Sequence, residues 1–141
     1  MRYHVVAVGR MRDAALRATA DAYVKRLRRY TRLEEREVKD EARLVGAVPD
    51  GARLVAVSRT GEAWSSADLA RWTAQWDQES REVALVIGGA DGLPERLVKG
   101  AERVWSLSAL TFPHELARVI VLEQLYRAFT IRRGEPYHRA R

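Results

Sequence analysis

A glycine-rich stretch, IGGADG (87–92), follows a run of apolar residues and is the first candidate for ligand binding. Glycines at the end of a buried strand let backbone N–H groups approach a ligand closely, and open α/β sheets bind ligands at that edge. Gly88 and Gly89 are therefore predicted to line a binding site. The stretch matches neither the dinucleotide nor the nucleoside triphosphate fingerprint, and a tight β-to-α turn without a ligand is the alternative.

The second candidate is the loop SLSALTFPH (106–114), which supplies small hydroxyl groups and exposed main chain. Such a loop can hold a ligand through its backbone, but it offers no nucleophile with an obvious base. A local turn or a helix cap is the alternative role for Thr111. His114 falls in the first turn of a predicted helix, where the helix dipole opposes its protonation. We therefore predict a surface or capping residue rather than a base.

The tail GEPYHRAR (134–141) brings three functional side chains together. Tyr137 can stack on a base, the His138 imidazole can exchange a proton, and Arg139 suits a phosphate, so the group resembles a nucleic-acid contact. A solvated terminus is the alternative. We expect no metal site, because the sequence has no cysteine and its three histidines lack metal-ligand spacing.

The chain is basic, with a net charge of +6 and a pI of about 10.2. A basic surface gains affinity for a polyanion by releasing counterions, which favours a nucleic-acid partner. The excess of arginine over lysine can equally reflect genome composition. A basic surface that binds no nucleic acid is therefore the alternative. Five cations cluster in the first predicted helix and just after it: Lys25, Arg26, Arg28, Arg29 and Arg32.

Length and composition predict one domain over residues 1–141. A chain of this size can bury one core, and its 47% hydrophobic and 31% charged residues are ordinary for a globular protein. No window approaches the roughly 18 uninterrupted apolar residues that cross a bilayer. The first residues have neither the apolar run nor the cleavage site of a signal peptide, so we expect a cytoplasmic protein without a membrane partner.

Apolar runs that alternate with amphipathic segments predict an α/β fold with a mostly parallel sheet flanked by helices. A turn is predicted at RTGEAW (59–64), and Ser65 or Ser66 can cap the helix that follows. The predicted strands are 3–9, 52–58 and 103–108, with a weak edge strand at 33–38, and a further buried strand passes into a loop within 82–92. The predicted helices are 13–30, 41–48, 65–77, 94–101 and 113–132.

The last predicted helix is apolar on two sides, which requires two packing partners. One partner can be the sheet, and the other suggests a second subunit; a central helix in a monomer is the alternative. One stripe is Val119, Leu122, Tyr126 and Phe129, and the other is Ala117, Val121, Leu125 and Ala128.

Three ordered motifs, VIGGADGL, SLSALTFPHELARVIVLEQLYRAF and GEPYHR, closely resemble the ribosomal RNA large subunit methyltransferase H family of SPOUT, or α/β-knot, methyltransferases. The opening VVAVGRMRD also agrees, so the likeness spans essentially the whole chain. The resemblance implies an α/β knot with a C-terminal trefoil knot, a homodimer, and methyl transfer from S-adenosylmethionine. The implied acceptor is N3 of a pseudouridine in a hairpin loop of 23S rRNA. The small size of the chain favours the assembled ribosome as the substrate, since neighbouring RNA or protein must supply much of the specificity, while free RNA and the isolated subunit stay open.

The same resemblance implies the residues of the site. The cofactor would be held by Val57, by Gly88 and its neighbour Gly89, and by Leu107, Ser108, Ala109, Leu110, Thr111 and Phe112. His138 would accept the imide proton of the pseudouridine, while Tyr137 and Arg139 would seat the nucleotide, from a tail that can serve the partner's pocket.

Two other functions remain open at this point. A non-catalytic RNA- or ribosome-binding protein would explain the charge and the tail but would have no affinity for S-adenosylmethionine. A nucleotide hydrolase would use the glycine loop for phosphate, yet the sequence lacks a lysine after the glycines and an evident carboxylate pair for magnesium.

Overall fold

A computed structural model describes residues 2–139 as a parallel sheet covered by helices on both faces. Within these residues the sheet has five strands in the order β2-β1-β4-β3-β5, and every ladder between them is parallel. This confirms the predicted α/β class and places the predicted edge strand at the edge. The strands are β1 Arg2–Val8, β2 Arg32–Val38, β3 Arg53–Ala63, β4 Val83–Ile87 and β5 Arg103–Ser106.

The helices cover the two faces of the sheet because the strand side chains alternate in direction. In β1, Tyr3, Val5 and Ala7 pack on the face that carries the three long helices, and Val6 and Val8 pack on the face that carries the two short ones. The long helices are α1 Ala14–Leu27, α3 Ser66–Glu79 and α5 His114–Arg132. The short ones are α2 Leu44–Ala47, which follows a 3-10 turn, and α4 Glu95–Gly100.

Two of the long helices begin at side-chain caps that the sequence supplies. The Asp13 carboxylate accepts the backbone N–H of Leu16 at the start of α1. Ser65 caps α3 in a reciprocal arrangement with Asp68, in which each side chain accepts the other residue's backbone N–H. Ser65 is thus the capping serine.

The turn predicted at residues 59–64 is wrong, because strand β3 continues through it to Ala63. The ladder between β3 and β5 breaks after Val57 and resumes at Glu62, so residues 58–61 form a bulge while the chain stays extended. Gly61 makes the close approach possible, since a Cβ there would collide with the backbone of Val104. Pairing with β5, far along the chain, overrides the local turn signal.

Helix α5 lies between α1 and α3 on the sheet, and both of its apolar stripes find partners within the chain. Phe129 meets Tyr3 of the sheet edge-on, and Tyr126 packs on Tyr23 of α1. The two stripes therefore do not by themselves require a second subunit, and the homodimer stays a prediction. Within residues 2–139, no helix has the length and apolar character needed to cross a bilayer.

Candidate functional site

The carboxyl ends of β4 and β5 flank the bulge of β3 in the sheet, and this bulge and the loops that follow β4 and β5 enclose a cavity of about 400 Å³. This volume lies in the range of small-molecule sites, about 300–1,000 Å³. Eight of the nine residues predicted to hold the cofactor line the cavity: Val57, Gly88, Gly89, Leu107, Ser108, Leu110, Thr111 and Phe112. The ninth, Ala109, lies exposed in the same loop without lining the cavity.

The glycine loop after β4 is a tight turn whose backbone leaves no room for a side chain. A Cβ on Gly88 would lie 2.5 Å from the carbonyl carbon of Gly92 and 2.8 Å from the backbone nitrogen of Leu93. Gly92 has a φ of 76°, which glycine adopts without strain, and its N–H donates to the Gly89 carbonyl at 3.0 Å. The predicted β-to-α turn is thus present, and ligand binding by this loop stays a prediction.

The serines of the loop after β5 form hydrogen bonds within the loop. The Ser106 hydroxyl donates to the Ser108 carbonyl at 3.1 Å, and the Ser108 hydroxyl accepts the Leu110 N–H at 3.0 Å. Among the residues described, the amides of Thr111 and Phe112 find no acceptor, so they can donate to a ligand. The Leu110 side chain is 69% exposed at the cavity, an unusual position for leucine unless something covers it.

Sequence reasoning missed the third wall of the cavity, which consists of Ser58, Arg59 and Thr60 in the β3 bulge. Gly61 is the sequence signal for this bulge. Its glycine is required by the close approach of β5, which lies far along the chain and could not be predicted from local sequence. Arg59 and Asp91 are the charged residues among those that line the cavity, and neither forms an ion pair with another described residue.

His114 also lines the cavity, half-buried in the first turn of α5. It makes no capping hydrogen bond, so the structure places it in the wall of the site and not at a helix cap.

A buried arginine ties the start of α5 to the ends of β1 and β2. Arg118 is 1% exposed, and it donates to the Glu37 carboxylate at 2.5 Å and to the Gly9 carbonyl at 3.1 Å. Burial alone would raise the pKa of Glu37, but the hydrogen bonds from Arg118 and from the Met11 amide outweigh it and lower that pKa. This network fixes the part of α5 that carries Ala117, which lines the cavity.

The predicted catalytic tail lies at the other end of α5. Tyr137 donates its hydroxyl to Glu123 at 2.8 Å, packs edge-on against Tyr126 with ring centroids 4.7 Å apart, and lies under the Arg127 guanidinium. Since the helix rises about 1.5 Å per residue, Arg127 lies about 15 Å along α5 from the cavity residue Ala117. The structure therefore does not bring the tail to the cavity of its own chain.

His138 is bound to the helix through one ring nitrogen. Its Nδ1 lies 3.0 Å from Nη1 of Arg127, and a guanidinium can only donate, so Nδ1 accepts and the neutral ring carries its proton on Nε2. Arg139 is exposed next to it. Within residues 2–139, no three His, Cys, Asp or Glu side chains form a group that could hold a metal ion.

Comparison with known proteins places the whole chain in one family. Residues 1–138 match the family model of predicted SPOUT methyltransferases. The chain is 45% identical to ribosomal RNA large subunit methyltransferase H of Sorangium cellulosum, over 97% of this chain and 99% of that protein. It is 40% identical to the protein of the same name from Burkholderia thailandensis, over 99% of this chain and 100% of the relative.

Solved structures share the fold at low sequence identity. A probable methylase family protein from Haemophilus influenzae superposes with a TM-score of 0.64 at 13% identity, covering 98% of this chain and 70% of that chain. A methyltransferase from Legionella pneumophila, solved with bound cofactor SAM, gives a TM-score of 0.54 at 14% identity, covering 91% of this chain and 66% of that one. These similarities support the arrangement of the sheet and helices.

Proposed function

Because the chain belongs to the ribosomal RNA large subunit methyltransferase H family of SPOUT methyltransferases, we propose that it transfers a methyl group from S-adenosylmethionine to N3 of a pseudouridine in 23S rRNA. The observation that carries the proposal is the cavity at the bulge of β3 and the carboxyl ends of β4 and β5. Glycines and small residues line part of it, an apolar wall lines another part, and its size suits one small molecule.

The residues of the cavity fit S-adenosylmethionine. The free amides of Thr111 and Phe112 and the close backbone at Gly88 can recognise adenine and ribose through the main chain. Leu107, Leu110 and Phe112 form a wall of low polarity that would exclude water. When bound, the cofactor supplies a methyl group already activated on a sulfonium, so the protein has to align it with the acceptor and remove one proton.

The acceptor nitrogen carries an imide proton, and His138 is the proposed base. In the arrangement of the tail on α5, the lone pair of Nδ1 is occupied by Arg127 and Nε2 carries the proton. His138 can therefore accept the proton only after its contact with Arg127 is released. Tyr137 and Arg139 would seat the nucleotide by stacking and by phosphate binding.

The position of the tail supports a homodimer. The tail contacts α5 at Glu123 and Arg127, about 9 and 15 Å along the helix from the cavity residue Ala117, so we propose that it completes the cavity of a partner. A two-fold arrangement would place each tail at the other subunit's site. The proposal includes the trefoil knot implied by the family and a cytoplasmic location. It also includes the assembled ribosome as the substrate, because rRNA and ribosomal protein can supply specificity that a small dimer lacks.

The experiment is methyl transfer to ribosomes that lack the modification, with radiolabelled S-adenosylmethionine, followed by mapping of the labelled nucleotide. We expect label at one pseudouridine of 23S rRNA. His138→Ala should abolish transfer while cofactor affinity, measured by calorimetry, stays unchanged. Absence of cofactor binding by the wild-type protein would instead support a non-catalytic ribosome-binding protein, and equal activity on protein-free rRNA would refute the assembled ribosome as the preferred substrate.

A further inference from the structure

The basic residues of α1 and the turn after it lie at the same end of the molecule as the tail. Helix α1 starts just after the carboxyl end of β1 and ends just before the amino end of β2, so its last turn lies at the amino ends of the strands. Side-chain contacts agree, because Tyr30 donates to Glu135 at 2.9 Å and Arg133 lies over the Tyr30 ring. The cavity lies at the opposite, carboxyl end of the sheet.

This end of the molecule, which we call the basic end, is exposed and unneutralised. All five of its cations are exposed, and none of them forms an ion pair with a described residue: Lys25, Arg26, Arg28, Arg29 and Arg32. Two make other contacts, since Arg26 lies over the rings of Tyr23 and Tyr126 and Arg28 donates to the Leu33 carbonyl. Neither contact cancels the positive charge.

On the opposite side of the sheet, around α3 and β5, arginines form ion pairs with carboxylates. There the arginines other than Arg59 at the cavity have carboxylate partners: Arg53 with Glu79 and Glu102, Arg71 with Asp68, Arg81 with Glu102, and Arg103 with Glu62. The molecule thus neutralises one side and leaves the basic end as a field of positive charge. Such a field attracts phosphates and gains affinity from counterion release.

Helix stability gives only part of the reason for these cations. Lys25 and Arg26 lie in the last turn of α1, where positive charge complements the helix dipole. However, Lys25 and Arg29 are four residues apart in the sequence, with Arg28 between them. Positive charges at this spacing repel one another and destabilise a helix. A purely structural role would place a carboxylate at one of these positions.

We infer that the basic end binds the phosphate backbone of the rRNA substrate, and that it does so for the active site of the partner subunit. This inference rests on the proposed function, in which the tail serves the partner's cavity. Because the basic end and the tail share one end of the chain, the subunit that supplies the tail also holds the RNA. The other subunit holds the cofactor. Each active site is thereby divided into an RNA-binding half and a cofactor-binding half.

The first test is a double substitution that removes charge without touching other contacts. In Lys25→Gln/Arg29→Gln we expect kcat/KM for ribosomes to fall about 10- to 50-fold at 0.1 M salt, with a shallower salt dependence, because two phosphate contacts are lost. Cofactor affinity and melting temperature should stay unchanged. Lys39→Gln/Arg96→Gln is the matched control, since it removes one exposed lysine and one exposed arginine, without described ion pairs, from outside the basic end. Equal effects of the two double variants would refute the RNA surface.

The second test assigns the basic end to a subunit by using mixed dimers with two different tags. One chain carries Gly88→Ala to disable its cavity, or Ala90→Trp if the first variant lowers the melting temperature. When Lys25→Gln/Arg29→Gln is placed on that same chain, the wild-type cavity loses its RNA surface and activity should fall about as far as in the double variant. When it is placed on the other chain, activity should match that of the dimer with the cavity substitution alone.

The reverse pattern would show that each basic end serves its own cavity and would overturn the division. A monomer in light scattering would overturn it as well. Inactivity of the wild-type protein would refute the proposed function instead, so the two failures are distinguishable.

Discussion

The two ends of the sheet differ in which groups form their contacts, with main chain prominent at one end and side chains at the other. At the carboxyl end, the glycine loop brings backbone directly against the cavity, and Gly88 leaves no space for even one added carbon. At the amino end, aromatic rings and charged groups hold the tail, with Tyr137 between Glu123 and Arg127. The first end should be sensitive to the addition of atoms, and the second to their removal.

The largest effect is expected where one carbon is added to the cavity. In Gly88→Ala the new Cβ would lie 2.5 Å from the Gly92 backbone, so the whole loop must shift. We expect the affinity for S-adenosylmethionine to fall about 100-fold, the same size as the loss of rate that a misplacement of about 1 Å can cause. Calorimetric titration measures the affinity.

The matched control for that substitution is Gly46→Ala. A Cβ on Gly46 meets nothing within 4 Å, and helix α2 should gain about 0.5–1 kcal/mol from the better helix former. Unchanged cofactor affinity in Gly88→Ala would show that the main chain of this loop does not form the site.

The next effect concerns the buried side-chain network around Arg118 at the cavity end. Arg118→Met leaves Glu35 and Glu37 without their buried cation, and loss of one partner of a buried pair costs about 3–5 kcal/mol. Urea unfolding measures the loss. Met combined with Glu37→Gln should recover part of it, and a cost below about 1 kcal/mol would show that the network does not hold α5 in place.

The same network predicts a dependence of stability on acid. The pKa of Glu37 is lowered in the folded protein, so its stabilising contribution is present above the unfolded value of about 4.3 and is lost as the pH falls below it. Arg118→Met should therefore show a shallower loss of stability between pH 5 and pH 3 than the wild-type protein.

Sequence reasoning found the cavity end because local signals encode it. Glycines after a buried strand and small hydroxyl residues before a helix depend on their immediate neighbours, and Gly88 and Thr111 do line one cavity. The bulge with Arg59 was missed because it depends on pairing between β3 and β5.

The position of the tail could not be predicted either, because it also depends on contacts between residues far apart in the chain. Tyr137 contacts Tyr23, 114 residues earlier in the chain, and Glu135 contacts Tyr30, 105 residues earlier. Periodicity also showed that α5 needs two partners but could not say that α1 and α3 are those partners.

A smaller effect is expected when one oxygen is removed from the tail. Tyr137→Phe keeps the ring on Tyr126 but loses the hydroxyl bond to Glu123, worth about 1 kcal/mol. Hydrogen exchange of residues 134–139 should accelerate about fivefold, which corresponds to about 1 kcal/mol. Tyr23→Phe is the control, because it removes only the longer 3.3 Å contact between the two hydroxyls. Equal exchange in all three proteins would show that the tail is held by its rings alone.

The smallest effect is a dependence of stability on alkaline pH at the contact between the basic end and the tail. Burial, followed by the hydrogen bond to Glu135, raises the pKa of Tyr30 to about 12 from its ordinary value of 10.0. A group whose pKa is raised on folding stabilises the protein fully below the unfolded value and loses that contribution as the pH rises from about 10 to about 12.

Tyr30→Phe removes this titration while the aromatic ring is kept against Phe129, from which the Tyr30 ring lies 5.8 Å away between centroids. Urea unfolding at intervals between pH 8 and pH 11.5 should therefore give a shallower alkaline loss of stability than in the wild-type protein. Tyr3 and Tyr137 also have raised pKa values, but they are present in both proteins and cancel in the difference. Parallel curves would mean that Tyr30 and Glu135 are not in contact in solution. The tail would then be free to leave α5 without breaking that bond, and its release toward a partner's cavity would require only the contacts of Tyr137 and His138 to open.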